Sequence, residues 1–182
     1  SLTVVVPAEA APGTHAGTLD VWVGKKIREA QLQISLTAVA ATPPNQAVLG
    51  PLAGAEIRAH RLDNLVTPVE GPITANPGLT DLARAGTFRL SLSGIPDDEW
   101  ILVTASGGQD IDADDDGILD DSPTANSGTL HAVGKASDWR AGGLRINVLT
   151  EMAWQQVVSA AQAGDTARLA AGLQWAANGL LR

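Results

Sequence analysis

The stretch WILVTASGGQDIDADDDGILDD, residues 100–121, joins a strand-like run to a loop that is rich in aspartate. Residues 100–105 are almost continuously apolar, which is typical of a strand that is covered on both faces. Residues 112–117 place aspartate at every second position and end on a glycine. The stretch therefore predicts a buried strand followed by a cation-binding loop, and the rest of the chain is organised around that loop.

The loop has the spacing D-x-D-x-D-G-x-x-D, which is the first half of a calcium-binding loop. Ca2+ takes about six to eight oxygen ligands, and alternate carboxylates on a curling backbone converge on one point. The glycine permits the sharp turn because it adopts backbone angles that other residues avoid. The predicted ligands are the carboxylates of Asp112, Asp114 and Asp116 and the carbonyl of Ile118, with Asp110, Asp120 or Asp121 supplying the missing oxygens.

The loop departs from an EF-hand in two respects. Its twelfth position, counted from Asp112, is Pro123, where an EF-hand has a bidentate glutamate. Two glycines and a strand-like run precede it, where an EF-hand has a helix. The loop instead resembles the calcium loops of thrombospondin type 3 repeats and of related extracellular bacterial modules.

The distribution of charge favours a bound cation over a solvated acidic turn that binds nothing. Ten of the chain's twenty acidic residues lie in residues 97–121, a segment without Lys or Arg. Such a concentration of negative charge repels itself unless a cation neutralises it. We therefore expect Ca2+ to be the cofactor of this loop.

Length and composition restrict the class of protein. The chain has 182 residues, a net charge of −8, five Trp, no Cys, 19 Gly and 10 Pro, which predicts one domain with many turns and short strands. The acidic balance argues against nucleic acid as a partner, and the absence of a long apolar stretch argues against membrane insertion. Free calcium is millimolar outside cells, and a loop without the bidentate glutamate binds weakly, so a secreted or cell-surface location is expected.

Alternation of polar and apolar residues predicts strands along most of the chain. The predicted strands are residues 2–6, 18–23, 31–39, 55–62, 86–92, 100–105, 128–133 and 143–149. In residues 55–62 the alanines and Ile57 face inward, and His60 faces outward. The sequence therefore predicts a mainly β domain over residues 1–149, with the calcium loop inserted at 107–123.

The period of the apolar residues changes at Thr150, which is a good N-cap residue. Two amphipathic helices follow, with Gly164 and Asp165 between them. Their apolar stripes contain Trp154, Val157, Val158 and Ala161 in the first helix and Leu169, Leu173, Ala176 and Leu180 in the second. Residues 150–182 are therefore predicted to form a two-helix hairpin that packs on the β domain or on a neighbouring segment.

Three segments carry a family resemblance. Residues 52–59, 85–90 and 100–108 follow the pattern G-A-x-[IV]-x-[AV], then G-x-F-x-L, then a strand that ends near glycines. This pattern resembles the transthyretin-like modules of carboxypeptidase regulatory domains and of surface-protein B domains. The resemblance implies a Greek-key β-sandwich with extracellular binding or spacer roles and no catalytic residues.

The sequence offers few residues for other chemistry. None of the three histidines has the spacing of a metal or catalytic pair, and the acids are crowded into one loop rather than arranged as an acid/base pair. We therefore predict that the protein is not an enzyme. Trp139 is predicted to lie in a polar connection between the last two strands. Trp100 and Trp139 are the better candidates for exposed rings that bind a glycan or protein ligand, although a structural role is favoured even for these two.

The expected function is a calcium-binding interaction or adhesion module of a larger bacterial surface or secreted protein, with neighbouring domains in the same chain. One alternative is a structural spacer that calcium stiffens. A small calcium-dependent hydrolase is a further alternative, which requires acids besides the calcium ligands. The sequence does not separate the first two roles.

Overall fold

The computed structural model describes residues 43–175 and the strand segments 13–17, 22–23, 26–27 and 34–38. The chain divides into two compact units, residues 1–41 and 42–182. The first unit contains β1 (Gly13–Gly17), β2 (Trp22–Val23), β3 (Lys26–Ile27) and β4 (Ile34–Ala38). Strands β1 and β4 pair antiparallel, and so do β2 and β3. The strand predicted at residues 2–6 lies outside the described residues.

The second unit is mostly short strands, as the turn-rich composition predicts. It contains β5 (Asn45–Ala47), β6 (Leu52–Ala53), β7 (Glu56–Arg61), β8 (Glu70–Thr74), β9 (Thr87–Phe88), β10 (Trp100–Ser106), β11 (Gln109–Asp110), β12 (Thr124–Ala125), β13 (Thr129–Lys135), α1 (Ala136–Ala141), β14 (Arg145–Ile146), α2 (Val148–Ala163) and α3 (Thr166–Trp175). The mainly β class predicted from the sequence is confirmed. No described helix has both the length and the apolar character needed to cross a membrane.

The main sheet has the strand order β13-β10-β7-β8, with every pair antiparallel. Val103 at its centre lies opposite Ala59 on β7 and Ala132 on β13, and all three face the main apolar core. On the other face, Leu102 packs with residues of α2 and α3. Strand β10 is therefore covered on both faces, as its continuous apolar run predicts.

Two smaller sheets complete the unit. Strands β12, β11 and β6 form one, and β14, β5 and β9 form the other, in which β14 is parallel to β5. The strand predicted at 86–92 is shortened to β9, although Phe88, Leu90 and Leu92 are buried. Beyond β9, the backbone N–H groups of Ser91 and Leu92 donate to the Glu70 carboxylate instead of to a neighbouring strand.

The prediction that Trp139 lies in a polar connection is wrong. Trp139 belongs to helix α1, and its side chain is 0% exposed. Ala136 and Trp139, three positions apart, form the buried side of this short helix, and the Trp139 ring lies 6.4 Å from the ring of Phe88. Trp139 is therefore a core residue, and its ring does not form a ligand-binding surface.

Helix α2 begins earlier than the sequence predicts. Asn147, predicted to be in a strand, is the N-cap, and its side chain accepts a hydrogen bond from the Thr150 backbone N–H at 3.0 Å. The Thr150 hydroxyl accepts one from the Asn147 N–H in return, so the two residues form a capping box. Thr150 is therefore the third residue of the helix rather than its cap.

Helices α2 and α3 cover the outer face of the main sheet. Trp154 and Val157 are buried in a cluster with Leu102 and Val133 of the sheet, and Leu169 and Leu173 of α3 pack against it. Gly164, in the left-handed conformation, ends α2, and Asp165 accepts from Arg168 N at the start of α3. Of the other predicted stripe residues, Ala161 is exposed, and Ala176 and Leu180 lie outside the described residues.

Candidate metal centre

The acidic loop leaves the main sheet at its central strand. Gly107 and Gly108, both with positive φ, turn the chain from β10 into β11. A methyl group at Gly108 would lie 2.8 Å from the backbone nitrogen of Ala55, so only glycine fits this close approach. Strand β11 then pairs with β6 and β12, which fixes the start of the loop on the body of the unit.

Three aspartates converge within the loop. Carboxylate oxygens of Asp112, Asp114 and Asp116 all lie within 4.8 Å of one another. Asp112 is 6% exposed, whereas Asp114 and Asp116 are open to solvent. This group of three carboxylates could hold a metal ion, because hard cations are bound by such oxygen clusters.

Backbone N–H groups of the loop hold these carboxylates in place. Asp112 accepts from Asp116 N at 3.1 Å and from Gly117 N at 3.2 Å, one on each oxygen. Asp116 Oδ1 accepts from Ile118 N at 2.7 Å. Asp115 and Gly117 have positive φ, which curls the backbone around the Asp112 side chain. The spacing predicted from the sequence therefore produces a turn in which the carboxylates face one another.

The electrostatics of Asp112 reflect this crowding. Burial raises the pKa of the Asp112 carboxyl above its ordinary value, the hydrogen bonds from Gly117 and Asp116 lower that pKa, and the negative charges of Asp116 and Asp114 raise it further. The net direction is upward. A cation at this position would favour the ionised carboxylate and oppose the repulsion between the three groups.

Asp110 does not belong to the group of three. Its buried carboxylate accepts from Gly50 N at 3.0 Å through Oδ2 and from Asp112 N at 3.2 Å through Oδ1. It therefore ties the loop to the turn before β6. Ile111 beside it is fully buried against Ala53 and Ala85 and fixes the loop from the apolar side.

The remaining predicted ligands also lie outside the group of three. Asp120 Oδ2 accepts from Ala113 N at 2.9 Å, and Asp120 N donates to the Ile111 carbonyl at 3.0 Å, so Asp120 closes the loop. Asp121 and Ile118 are exposed. The structure thus brings together three of the seven predicted ligands, and a ligand role for Asp110, Ile118, Asp120 and Asp121 stays a prediction.

Sequence analysis missed the parts of this site that depend on distant residues. Gly50 lies 60 positions before Asp110, and a methyl group there would collide with the Asp110 carboxylate and lie 2.5 Å from the Asp112 carbonyl oxygen. The only local signal was Ile111, an apolar residue among aspartates. An isolated apolar residue in a charged loop indicates an anchor in the core.

The other candidate residues have different surroundings from those predicted. Trp100 is half-buried in the cluster beneath the helices, with Lys135 Nζ 5.9 Å from its ring centroid. His60, predicted to face solvent, is 8% exposed, because α2 and α3 cover the face of the sheet on which it lies. His131 Nδ1 lies 2.7 Å from Glu151 Oε2, and its ring stacks on Trp154.

Comparisons of the chain with family models, with curated proteins and with solved structures gave no match. The geometry of the loop and of the residues that fix it therefore carries the functional argument.

Proposed function

We propose that this chain is a calcium-binding extracellular module of a larger bacterial surface or secreted protein. The observation that carries the proposal is the group of three aspartate carboxylates within 4.8 Å. Its donors are all oxygens, and an open loop of this kind suits the flexible coordination of Ca2+ better than the strict octahedron of Mg2+. The millimolar calcium outside cells would fill a weak site.

The specific architecture that we propose is a Greek-key β-sandwich of the transthyretin type with a C-terminal helical hairpin. The antiparallel order β13-β10-β7-β8 and the contact between α2 and α3 support it. The family resemblance of residues 52–59, 85–90 and 100–108 implies the same architecture.

A stiffening role for the ion is supported by the way the loop is attached. Asp110 and Ile111 join it to the turn at Gly50 and to a small apolar cluster, so a cation that orders the loop also restrains β6, β11 and β12. The seven acidic residues in 107–121 oppose closure of the loop until a cation neutralises them, whereas Asp97 and Glu99 of the same acidic segment pair with arginines outside it. The result would be a spacer domain whose rigidity depends on calcium.

An interaction role is favoured by a different observation. Ile118 is 67% exposed and Leu119 is also exposed, directly after the aspartates. A cation that fixes the loop would fix these two apolar side chains as a small contact surface for a protein or glycan ligand. This surface replaces Trp139, which is buried.

Thermal melting of three proteins tests the calcium proposal: the wild type, Asp116→Ala and Asp98→Ala, each in chelator, in calcium and in magnesium. Asp98 is exposed and belongs to the same acidic segment, so its variant removes the same charge without touching the cluster. Calcium at about a hundredfold excess over its dissociation constant should stabilise the wild type by about 2.7 kcal/mol. Asp98→Ala should keep this gain, Asp116→Ala should lose most of it, and magnesium should give little.

Two outcomes would contradict parts of the proposal. Equal melting of the wild type in chelator and in millimolar calcium would refute the calcium site. A glycan array and a binding screen with Ile118→Ser, with and without calcium, distinguish the two roles. Calcium-dependent binding that the variant loses supports interaction, and binding in neither condition leaves stiffening as the role.

A further inference from the structure

A buried histidine lies between the main sheet and the helices. His60 on β7 is directly opposite Leu102 on β10, so both side chains point to the face that α2 and α3 cover. The His60 side chain is 8% exposed, and within the described part of the chain its Nδ1 has no hydrogen-bond partner. A neutral ring is tolerated there, whereas a charged ring would be buried without a counter-ion.

Among the described residues, the charged and titratable groups on the surrounding elements form no ion pair with this ring. They are Arg58 on the same strand, His131 and Lys135 on β13, Glu151 on α2, Arg168 on α3 and Asp63 in the loop after β7. Arg58 is paired with Glu56, Glu151 is bonded to His131, and Arg168 donates to Gln156. Strand β10 presents the uncharged Trp100, Leu102 and Thr104 on this face.

His131 differs from His60 because it has an acidic partner. Glu151 Oε2 accepts from the His131 backbone N–H at 2.8 Å and lies 2.7 Å from its ring Nδ1. The His131 ring stacks on Trp154 of α2 with 5.6 Å between centroids. These contacts fasten the first turns of α2 to β13.

We infer that His60 makes the packing of α2 and α3 sensitive to acid. Protonation of its buried ring loosens the helices from the main sheet. A proton on His60 places a positive charge in the apolar layer, beside the positive charge of Arg58 and next to His131. An apolar hollow lined by Leu62, Leu65, Trp154 and Leu169 lies beside this layer, so the packing between the two helices and the segment after β7 is incomplete there.

The direction of the effect follows from proton linkage. Burial lowers the pKa of His60 below its ordinary value of 6.5, and Arg58 and His131 lower that pKa further. The opened form therefore binds the proton more tightly than the closed form. Stability that comes from the closed layer is present above pH 6.5 and is lost as the pH falls below that value. The opening equilibrium should rise by up to about tenfold per pH unit in that range.

Hydrogen exchange of the full chain in chelator tests this inference, because chelator removes any contribution from calcium release. Exchange is followed at pH 7.5, 6.5 and 5.5 and corrected for its intrinsic pH dependence. Amides of α2 and α3 should lose protection relative to those of β10 as the pH falls. His60→Gln should abolish that loss, and His131→Gln, which keeps the buried His60, should retain it.

Two results would overturn the inference. One is an equal loss of helix protection in His60→Gln and in the wild type, or no loss in either. The other needs no variant: ring signals of His60 in the wild-type nuclear magnetic resonance spectrum that titrate at or above pH 6.5.

Discussion

The link between Gly50 and Asp110 is the contact through which the acidic loop is joined to the rest of the unit, and Gly50→Ala should break it. The Gly50 N–H donates to Asp110 Oδ2 at 3.0 Å, and an added methyl group would occupy the position of that carboxylate. A buried hydrogen bond to a charged acceptor contributes about 1.5–3 kcal/mol. Overpacking by one methyl group costs about 1–3 kcal/mol more. We expect a total loss of about 2.5–6 kcal/mol in the free energy of unfolding.

Urea denaturation in chelator measures this loss, with Gly78→Ala as the matched control. Gly78 is exposed and lacks positive φ, and a methyl group there would meet only the end of the Asn76 side chain at 3.1 Å. The control should change the stability by about 0.5 kcal/mol or less. Calcium affinity should also fall in Gly50→Ala, because the Asp110 carboxylate accepts from the Asp112 N–H. A Gly50→Ala protein as stable as the control would refute the proposed role of this contact.

Three further predictions concern the core, a helix end and the pH dependence. Ile101→Ala, at a fully buried position, should cost about 2–5 kcal/mol in urea denaturation, whereas Ile118→Ala, at an exposed one, should stay within about 0.5 kcal/mol. Asn147→Ala removes one half of the capping box and should cost about 1 kcal/mol, with earlier exchange of the first α2 amides. In chelator, the raised pKa of Asp112 means that the folded state holds the proton more tightly than the unfolded state, so its contribution to stability should decrease as the pH rises above 3.8. Asp112→Asn should remove that slope, and an unchanged slope would contradict the assignment.

Alternation predicted β7, β10 and β13 because each of these strands buries one face in the same core, whereas β8 of the same sheet lies where no strand was predicted. In β7 and β10, the residues that face the core alternate along the chain, and this local regularity is visible in the sequence. The same reasoning failed for His60, because alternation identifies two faces but does not reveal that helices cover the second one. Burial by a distant element is not encoded in the local pattern.

The sequence places Trp139 and Asn147 in the wrong elements. Helix α1 is too short to recognise, and two good cap residues compete at the start of α2. Helix α1 has six residues, too few to display a helical period, and Ser, Asp and Arg make it look like a polar loop. At the start of α2, Asn147 and Thr150 are both good cap residues, and the capping box uses both. A sequence pattern therefore locates such a boundary only to within one turn.

The candidate metal centre shows the same difference between what local spacing predicts and what contacts between distant residues determine. The convergence of Asp112, Asp114 and Asp116 follows from spacing within one turn, so the sequence predicts it directly. The orientation of Asp110 depends on Gly50 across 60 residues, and no local signal marks that pairing. Local spacing thus predicts the cluster, whereas tertiary contacts determine which aspartates belong to it.

Calorimetric titration of the wild-type chain with calcium measures whether the aspartate cluster binds the ion. We expect a single ion to bind with a measurable heat and with an affinity that falls as the pH falls, because protons compete for the Asp112 carboxylate. Asp112→Asn should lose this heat, and Asp98→Ala should retain it. An absence of calcium heat in the wild type at millimolar concentration, or the same heat in Asp112→Asn, would contradict the account.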